Sequence, residues 1–377
     1  MVSLLLLGGN LKTLEASAIR AWLANSEPFD RFPHLLTVTV AIITTALADR
    51  SLSSYAVGIR AFLFFIMSHM ICTPFPPSTS ILLAFVSFEA YHFRRSHKSL
   101  KQYLSGIKHL CSAIGASTDG FNSRQLELQL RGLHRLQPGA TRKPRVPITI
   151  WVLQAIHGLL SFTNYNHVLI WAALTCAVCG LLRAGEITYK DVFSVILRRT
   201  DVTWFPNHVV LHIRESKTDI FRLGVRIFLF RIPTSFCPFT ALHTLWHRAP
   251  DTSPLAPAFQ TAQGTPLLYS TLLAACKNLL LRLNFDPTVC GTQSCRIGGA
   301  TTLALLGFPA TTIQTLGRWR SNCYRRYLRL RATDFQHIYN LFTTHSSRHT
   351  GPFGRLSLDQ VASISLKDIS SICSHLP

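Results

Sequence analysis

Apolar residues recur at helical spacing through much of the first third of the chain. From Ser51 to Met67, Tyr55, Ile59, Phe62 and Ile66 fall on one face and predict a helix. Further helices are predicted at 78–92, 98–111 and 122–135. In the 98–111 segment Leu100, Leu104, Ile107 and Cys111 form an apolar face, while Lys101, Ser105 and Lys108 form a polar one. Residues 1–45 carry no motif and read as a lead-in. The helical pattern stops at Gln137–Pro147, where three prolines, one glycine and three basic residues make a linker and a domain boundary. Thr149 then has the character of an N-cap for a helix starting at Ile150.

The second half mixes periods. Val168 to Leu182 is the longest apolar run, 15 residues that stop at Arg183, as expected of a buried core helix. His208–Arg214 and Arg222–Phe230 read as two strands joined by a polar turn that carries Lys217. Helices are predicted at 238–248, 269–283, 296–306 and 309–331, the last two separated by Gly307 and Pro309. From about Thr343 the sequence turns polar and aperiodic, which reads as a tail.

Composition narrows the partner. The 377 residues hold 38 Lys+Arg against 17 Asp+Glu, a net charge of +21, yet 48% of the chain is hydrophobic. That apolar content excludes a disordered basic tail. The charge makes a polyanion the expected partner, nucleic acid before an anionic membrane surface. Residues 1–146 carry a net +9 and the remainder +12, so the basic surface spans both halves. The 15-residue run is shorter than the ~20 residues needed to span a bilayer. Leu4–Leu7 has no preceding Lys or Arg, so no signal peptide is expected. Ten scattered cysteines, with Cys176-x-x-Cys179 inside the apolar run, read as core hydrophobes in a reducing compartment, with no metal site.

Four motifs follow in order: Leu182-Arg-Ala-Gly-Glu186; Ser216-Lys217; Thr292-Gln-Ser-Cys-Arg-Ile-Gly-Gly-Ala-Thr301; and Leu316-Gly-Arg-Trp-Arg-Ser-Asn-Cys-Tyr-Arg-Arg-Tyr-Leu-Arg329. Together they resemble the tyrosine recombinases, or phage-integrase family, over about Ala48–Arg331. The nearest likeness is to recombinases of eukaryotic mobile elements, the DIRS-like and Ngaro-like retrotransposons and the Cryptons. Ser99–Leu110 resembles part of the family's helical core-binding domain. The resemblance implies a mainly α fold with a small antiparallel β-sheet, divided as a 1–45 lead-in, a 46–136 helical DNA-binding domain, a 137–147 basic linker, a 148–342 mixed α/β catalytic domain and a 343–377 tail.

The implied reaction cuts a DNA strand through a covalent 3′-phosphotyrosine and is reversed by a 5′-hydroxyl, with no cofactor, ATP or metal. Arg183 and Arg296 are the candidates to stabilise the extra charge of the phosphorane, because a guanidinium donates two parallel hydrogen bonds. Glu186, one turn after Arg183, is expected to orient a basic group. Lys217 matches the hairpin lysine that protonates the 5′-oxygen leaving group. Trp319 matches the position where relatives place His or Trp to hydrogen-bond the phosphate. Tyr327, which opens Tyr-Leu-Arg, is the preferred nucleophile. It lies eight residues after Trp319, one fewer than the family's usual step, and Tyr324 stays open as the alternative. The third box usually reads His-x-x-Arg, and here Gln293 stands first. Glutamine can donate a hydrogen bond but cannot cycle a proton, so a catalytically impaired DNA-binding protein of the same fold is the second reading.

For DNA contact the candidates are Lys101, Lys108, Arg142, Lys143, Arg145, Arg320, Arg325 and Arg326. The resemblance further implies double-stranded DNA clamped between two domains, a homotetramer on two duplexes, a nuclear location and no membrane.

Overall fold

The computed structural model describes residues 11–329, apart from 25, 73–74, 138–143, 193, 217–218 and 220–222. The chain divides into two compact units, Met1–Lys143 with Asp191–Phe193, and Pro144–Lys190 with Ser194–Pro377.

The described part of the first unit is helical: α1 Leu11–Leu23, α2 Pro33–Thr44, α3 Asp49–Ser68, α4 Thr79–His92, α5 His97–Ala113 and α6 Arg124–Leu136. Serine N-caps at Ser78, Ser96 and Ser123 start α4, α5 and α6, each accepting a backbone N–H of the first turn. The core gathers Phe62, Phe65 and Ile66 of α3, Leu82 and Phe85 of α4, and Leu100, Leu104, Ile107 and Cys111 of α5. Helix α3 is long and apolar enough to cross a membrane by length and composition. Its inner face is nevertheless buried, Phe62 in this core and Leu52 and Ile59 in a smaller adjoining cluster with Leu110. The lead-in expected at 1–45 contains two helices. They are fixed by a small cluster of Ile19, Leu36 and Val40 with Ala113 at the end of α5.

In the second unit, residues 144–149 are tied down rather than free. Val146 N–H donates to Val289 O and Ile148 N–H to Ser294 O. Thr149 caps α7, Ile150–His157, its hydroxyl accepting from Val152 N–H. Helix α8, Tyr165–Cys179, is buried on every side from Val168 to Val178, as its long apolar run requires. The one-turn α9, Ala184–Ile187, follows it. A three-stranded antiparallel sheet comes next, ordered β1-β2-β3: β1 Val202–Trp204, β2 His208–Ile213 and β3 Val225–Phe230. Its register runs from His208↔Phe230 to Ile213↔Val225. Val209, Leu211, Ile213, Ile227 and Leu229 point into the core. The sequence pattern showed β2 and β3; the three-residue β1 is too short to display a period.

Helices α10 Pro238–Arg248, α11 Tyr269–Arg282, α12 Gln293–Leu305 and α13 Ala310–Leu316 complete the unit. The helix expected over 309–331 is broken. After α13 the chain turns at Gly317–Arg318 and re-forms only as a 3₁₀ segment, Asn322–Tyr327. Trp319 N–H donates to Gln314 O and Arg318 N–H to Thr315 O, which closes α13 as a Schellman cap. Arg318 takes the left-handed position at φ 56°.

Candidate active site

Two helix ends build the site, and both end by the same device. At the end of α8, Leu182 N–H donates to Ala177 O and Leu181 N–H to Val178 O, with Leu181 left-handed at φ 47°. This position normally falls to glycine, and a residue with a Cβ held there costs about 1–2 kcal/mol. Leu181 and Arg318 both carry that strain, and they are joined: Arg318 Nη2 donates to Leu181 O at 3.1 Å. The turn after α8 presents Arg183; the turn after α13 presents Arg318 and Trp319.

Glu186 locks the two turns together. Arg318 grips both of its oxygens, Nη1 to Oε1 at 3.1 Å and Nη2 to Oε2 at 3.0 Å. Arg183 donates to the same pair, Nη1 to Oε1 at 2.9 Å and its backbone N–H to Oε2 at 2.9 Å. Burial by itself pushes the Glu186 carboxyl up, but Arg318, and after it Arg183, outweigh that and hold it below the usual carboxylate range. Glu186 therefore stays an anion that orients two guanidiniums.

Arg296 is the unusual member. It lies on α12, is 1% exposed, and is among the largest fully buried side chains of the described residues. Its Nη2 donates to Gly317 O, and its guanidinium carbon stands 4.6 Å from the Trp319 ring centroid and 5.7 Å from that of Tyr327. Nε and Nη1 have no hydrogen-bond partner among the described residues. Burial lowers its pKa to about 10, with Arg183 and Arg318 pushing the same way and Glu186 and Tyr327 opposing. A buried cation with two idle donors, beside two further arginines and, among the described residues, the one carboxylate Glu186, is arranged to receive an anion.

Trp319 is buried against Tyr324 and Tyr327, with ring centroids 6.5 Å and 4.8 Å away. Tyr324 is 6% exposed within a cluster of Leu181, Ala300, Ile313 and Trp319, whereas Tyr327 is half-buried at its margin. Thr301 on α12 fixes the tyrosine segment: its hydroxyl donates to Tyr327 O and accepts from Arg329 N–H. Both tyrosines thus sit on a short 3₁₀ turn rather than on the continuous basic helix that the sequence suggests.

The other candidates are placed as follows. Gln293 is exposed at the first position of α12, three residues before Arg296. Lys217, Arg142 and Lys143 lie outside the described residues. Arg320, Arg325 and Arg326 are exposed around the tyrosine segment. Lys101 is exposed on α5, and Lys108 is half-buried and donates to Asn122 Oδ1 at 2.9 Å. Arg145 is turned to structural use, its Nη1 donating to Cys290 O at 3.0 Å while the guanidinium covers Gly291.

Sequence reasoning counted Arg318 only among the basic residues around the tyrosines and missed its grip on Glu186. Numbering held a signal: Tyr327 is nine residues from Arg318 and eight from Trp319. Among the described residues no cluster of three or more His, Cys, Asp or Glu is placed to hold a metal ion.

No protein-family model and no curated protein sequence matches the chain. Solved structures do. The XerH site-specific recombinase bound to a palindromic difH substrate, in a post-cleavage complex, is 14% identical, with 89% of this chain and 96% of that one covered and a TM-score of 0.55. Its pre-cleavage complex with a difH substrate is likewise 14% identical, with 88% and 96% covered and a TM-score of 0.53. Helices in two units, one three-stranded antiparallel sheet, and the near-complete coverage of both chains agree: this chain has the tyrosine recombinase fold.

Proposed function

We propose that the protein is a DNA strand transferase of the tyrosine recombinase type, acting on double-stranded DNA. The buried Arg296, with two donors idle beside Tyr327 and Trp319, is the observation that carries this reading. A scissile phosphate would supply the acceptors that those donors lack. The Tyr327 hydroxyl gives up its proton to solvent as its oxygen attacks phosphorus, the P–O5′ bond breaks, and the 5′-oxygen leaves as a hydroxyl with a proton from Lys217. The product is a 3′-phosphotyrosine, and attack by a 5′-hydroxyl reverses the step. Arg183 and Arg296 hold the non-bridging oxygens as their charge grows, and Glu186 and Arg318 keep Arg183 aimed.

Tyr327 is favoured over Tyr324 because it is the less buried of the two and its ring is the nearer to Trp319. By resemblance, we also propose a mobile-element origin in a eukaryote, a nuclear location, and a homotetramer on two duplexes as the working assembly. The second reading, DNA binding without cleavage, draws on Gln293, an exposed amide where relatives keep an imidazole.

A nicked duplex that traps the cleaved intermediate decides between the readings. The wild-type protein should form a covalent adduct stable to denaturant, Tyr324→Phe should retain it and Tyr327→Phe should abolish it. An absent adduct with intact duplex binding would establish the second reading, and recovery of cleavage in Gln293→His would assign the defect to that position.

A further inference from the structure

The outer face of the sheet departs from the usual alternation. In antiparallel sheets with one face on the core, the outward positions are normally polar. Here the inward residues of β3, Ile227 and Leu229, already fill the core, yet the outward ones are Arg226, Phe228 and Phe230. Phe228 and Phe230 are each 54% exposed, and Phe205, just past β1, is 43% exposed. Register sets His208 opposite Phe230 and His212 opposite Arg226. The rings line up across the strands: Phe205 lies parallel to His208 at 4.5 Å and 4°, and His208 faces Phe230 at 5.2 Å. A row of stacked rings with open ends is thus flanked by Arg226 and His212, and no carboxylate stands at these outward positions.

We propose that this face binds single-stranded DNA, its unpaired bases continuing the ring stack. Charge selects the occupant. The chain's net charge of +21, with Arg226 and no carboxylate among the outward positions, favours a polyanion on this face. Flat aromatic rings beside cations bind bases without reading sequence, since every base offers a π-face. The choice of DNA rests on the strand-transfer reading, in which a cut strand must unpair near the break before it can join another duplex. The spacing agrees. Ile213, at the other end of β2, lines a small cavity with Glu186. The five steps from Ile213 to His208 span roughly 17 Å at ~3.3 Å per residue, about five nucleotides of strand.

Fluorescence anisotropy with the full chain tests this, using an oligothymidylate of about 15 nucleotides, a duplex of similar length, an abasic oligomer and an oligouridylate. The wild type should bind oligothymidylate well above the abasic oligomer. Phe228→Ala with Phe230→Ala should weaken that binding about tenfold or more, because each base–ring stack contributes several-fold. Duplex binding and the covalent adduct on nicked DNA should change by less than about twofold, since phosphate contacts dominate there. Phe228→Leu, which keeps an apolar side chain and removes the ring, should lose oligothymidylate affinity as well. Equal binding of the abasic oligomer, or no loss in the variants, would overturn the proposal. Tighter oligouridylate binding would overturn the choice of DNA, and a change in sedimentation between wild type and variant would assign the face to self-association. A missing adduct with intact oligothymidylate binding would count against strand transfer alone.

Discussion

Burying a guanidinium with two donors unpaired is expensive, and Arg296 does so next to two other arginines. Among the described residues the bond to Gly317 O, worth about 1.5–3 kcal/mol, and the rings of Trp319 and Tyr327, worth about 1–2 kcal/mol, offset only part of the several kcal/mol that a poorly paired buried ion costs. Arg296→Met, which keeps a long unbranched side chain, should therefore hold or raise the melting temperature of the DNA-free protein. Covalent adduct formation should fall at least about 100-fold, the usual cost of removing a donor aimed at transition-state charge. A drop in melting temperature of more than about 5 °C would show instead that the cation is a structural support. Arg183 and Arg296 could be named from the sequence because the motifs fall in order. Arg318 could not, because its partner Glu186 is 132 positions away and depends on how two turns meet.

At the scale of elements, α12 positions the site and its glycines decide whether it can. A methyl group on Gly298 would overlap the backbone oxygen of Ile148, and one on Gly299 would crowd Val178 O at the end of α8. Backbone cannot yield as a side-chain tip does. Gly298→Ala should accordingly cost about 2–4 kcal/mol, read as a lower denaturation midpoint, although alanine is the better helix former by about 1 kcal/mol. A neutral or stabilised variant would mean that α12 is not held at this distance from residues 146–148. Most helices were legible because an apolar face packs on one core, as in α5, whose predicted Leu100–Cys111 face is buried. Helix α2 was not, since Val38 and Ile42 are exposed while Leu36 and Val40 are buried, so apolarity does not mark a face. The break after α13 was hidden by its cap: the left-handed residue is Arg318, and Gly317 has an ordinary φ of −79°. Gly317 is there for space, because the Trp319 ring folds onto its α-carbon.

For the whole molecule, on the proposed reading as a DNA-binding enzyme, the excess of 38 basic over 17 acidic residues would set the strength of polyanion binding, and not every basic residue would contribute to it. If duplex binding neutralises six to ten phosphates, log Kd should rise with log salt at a slope of about 5–9. Arg320, Arg325 and Arg326 are exposed beside the tyrosine segment and free to meet phosphates. Changing all three to Gln should lower the slope by up to about 2.7, near 0.9 for each phosphate no longer neutralised. Arg145 provides the contrast. Its guanidinium is already engaged with Cys290 O and packed on Gly291, where it holds the strand that enters the second unit. Arg145→Gln should leave the slope unchanged within error and lower the melting temperature by a few degrees, the consequence of losing about 1 kcal/mol. Equal slope changes at Arg145 and at the exposed arginines would mean that binding responds to net charge alone. Unequal changes would mean that it responds to where this fold leaves its cations uncommitted.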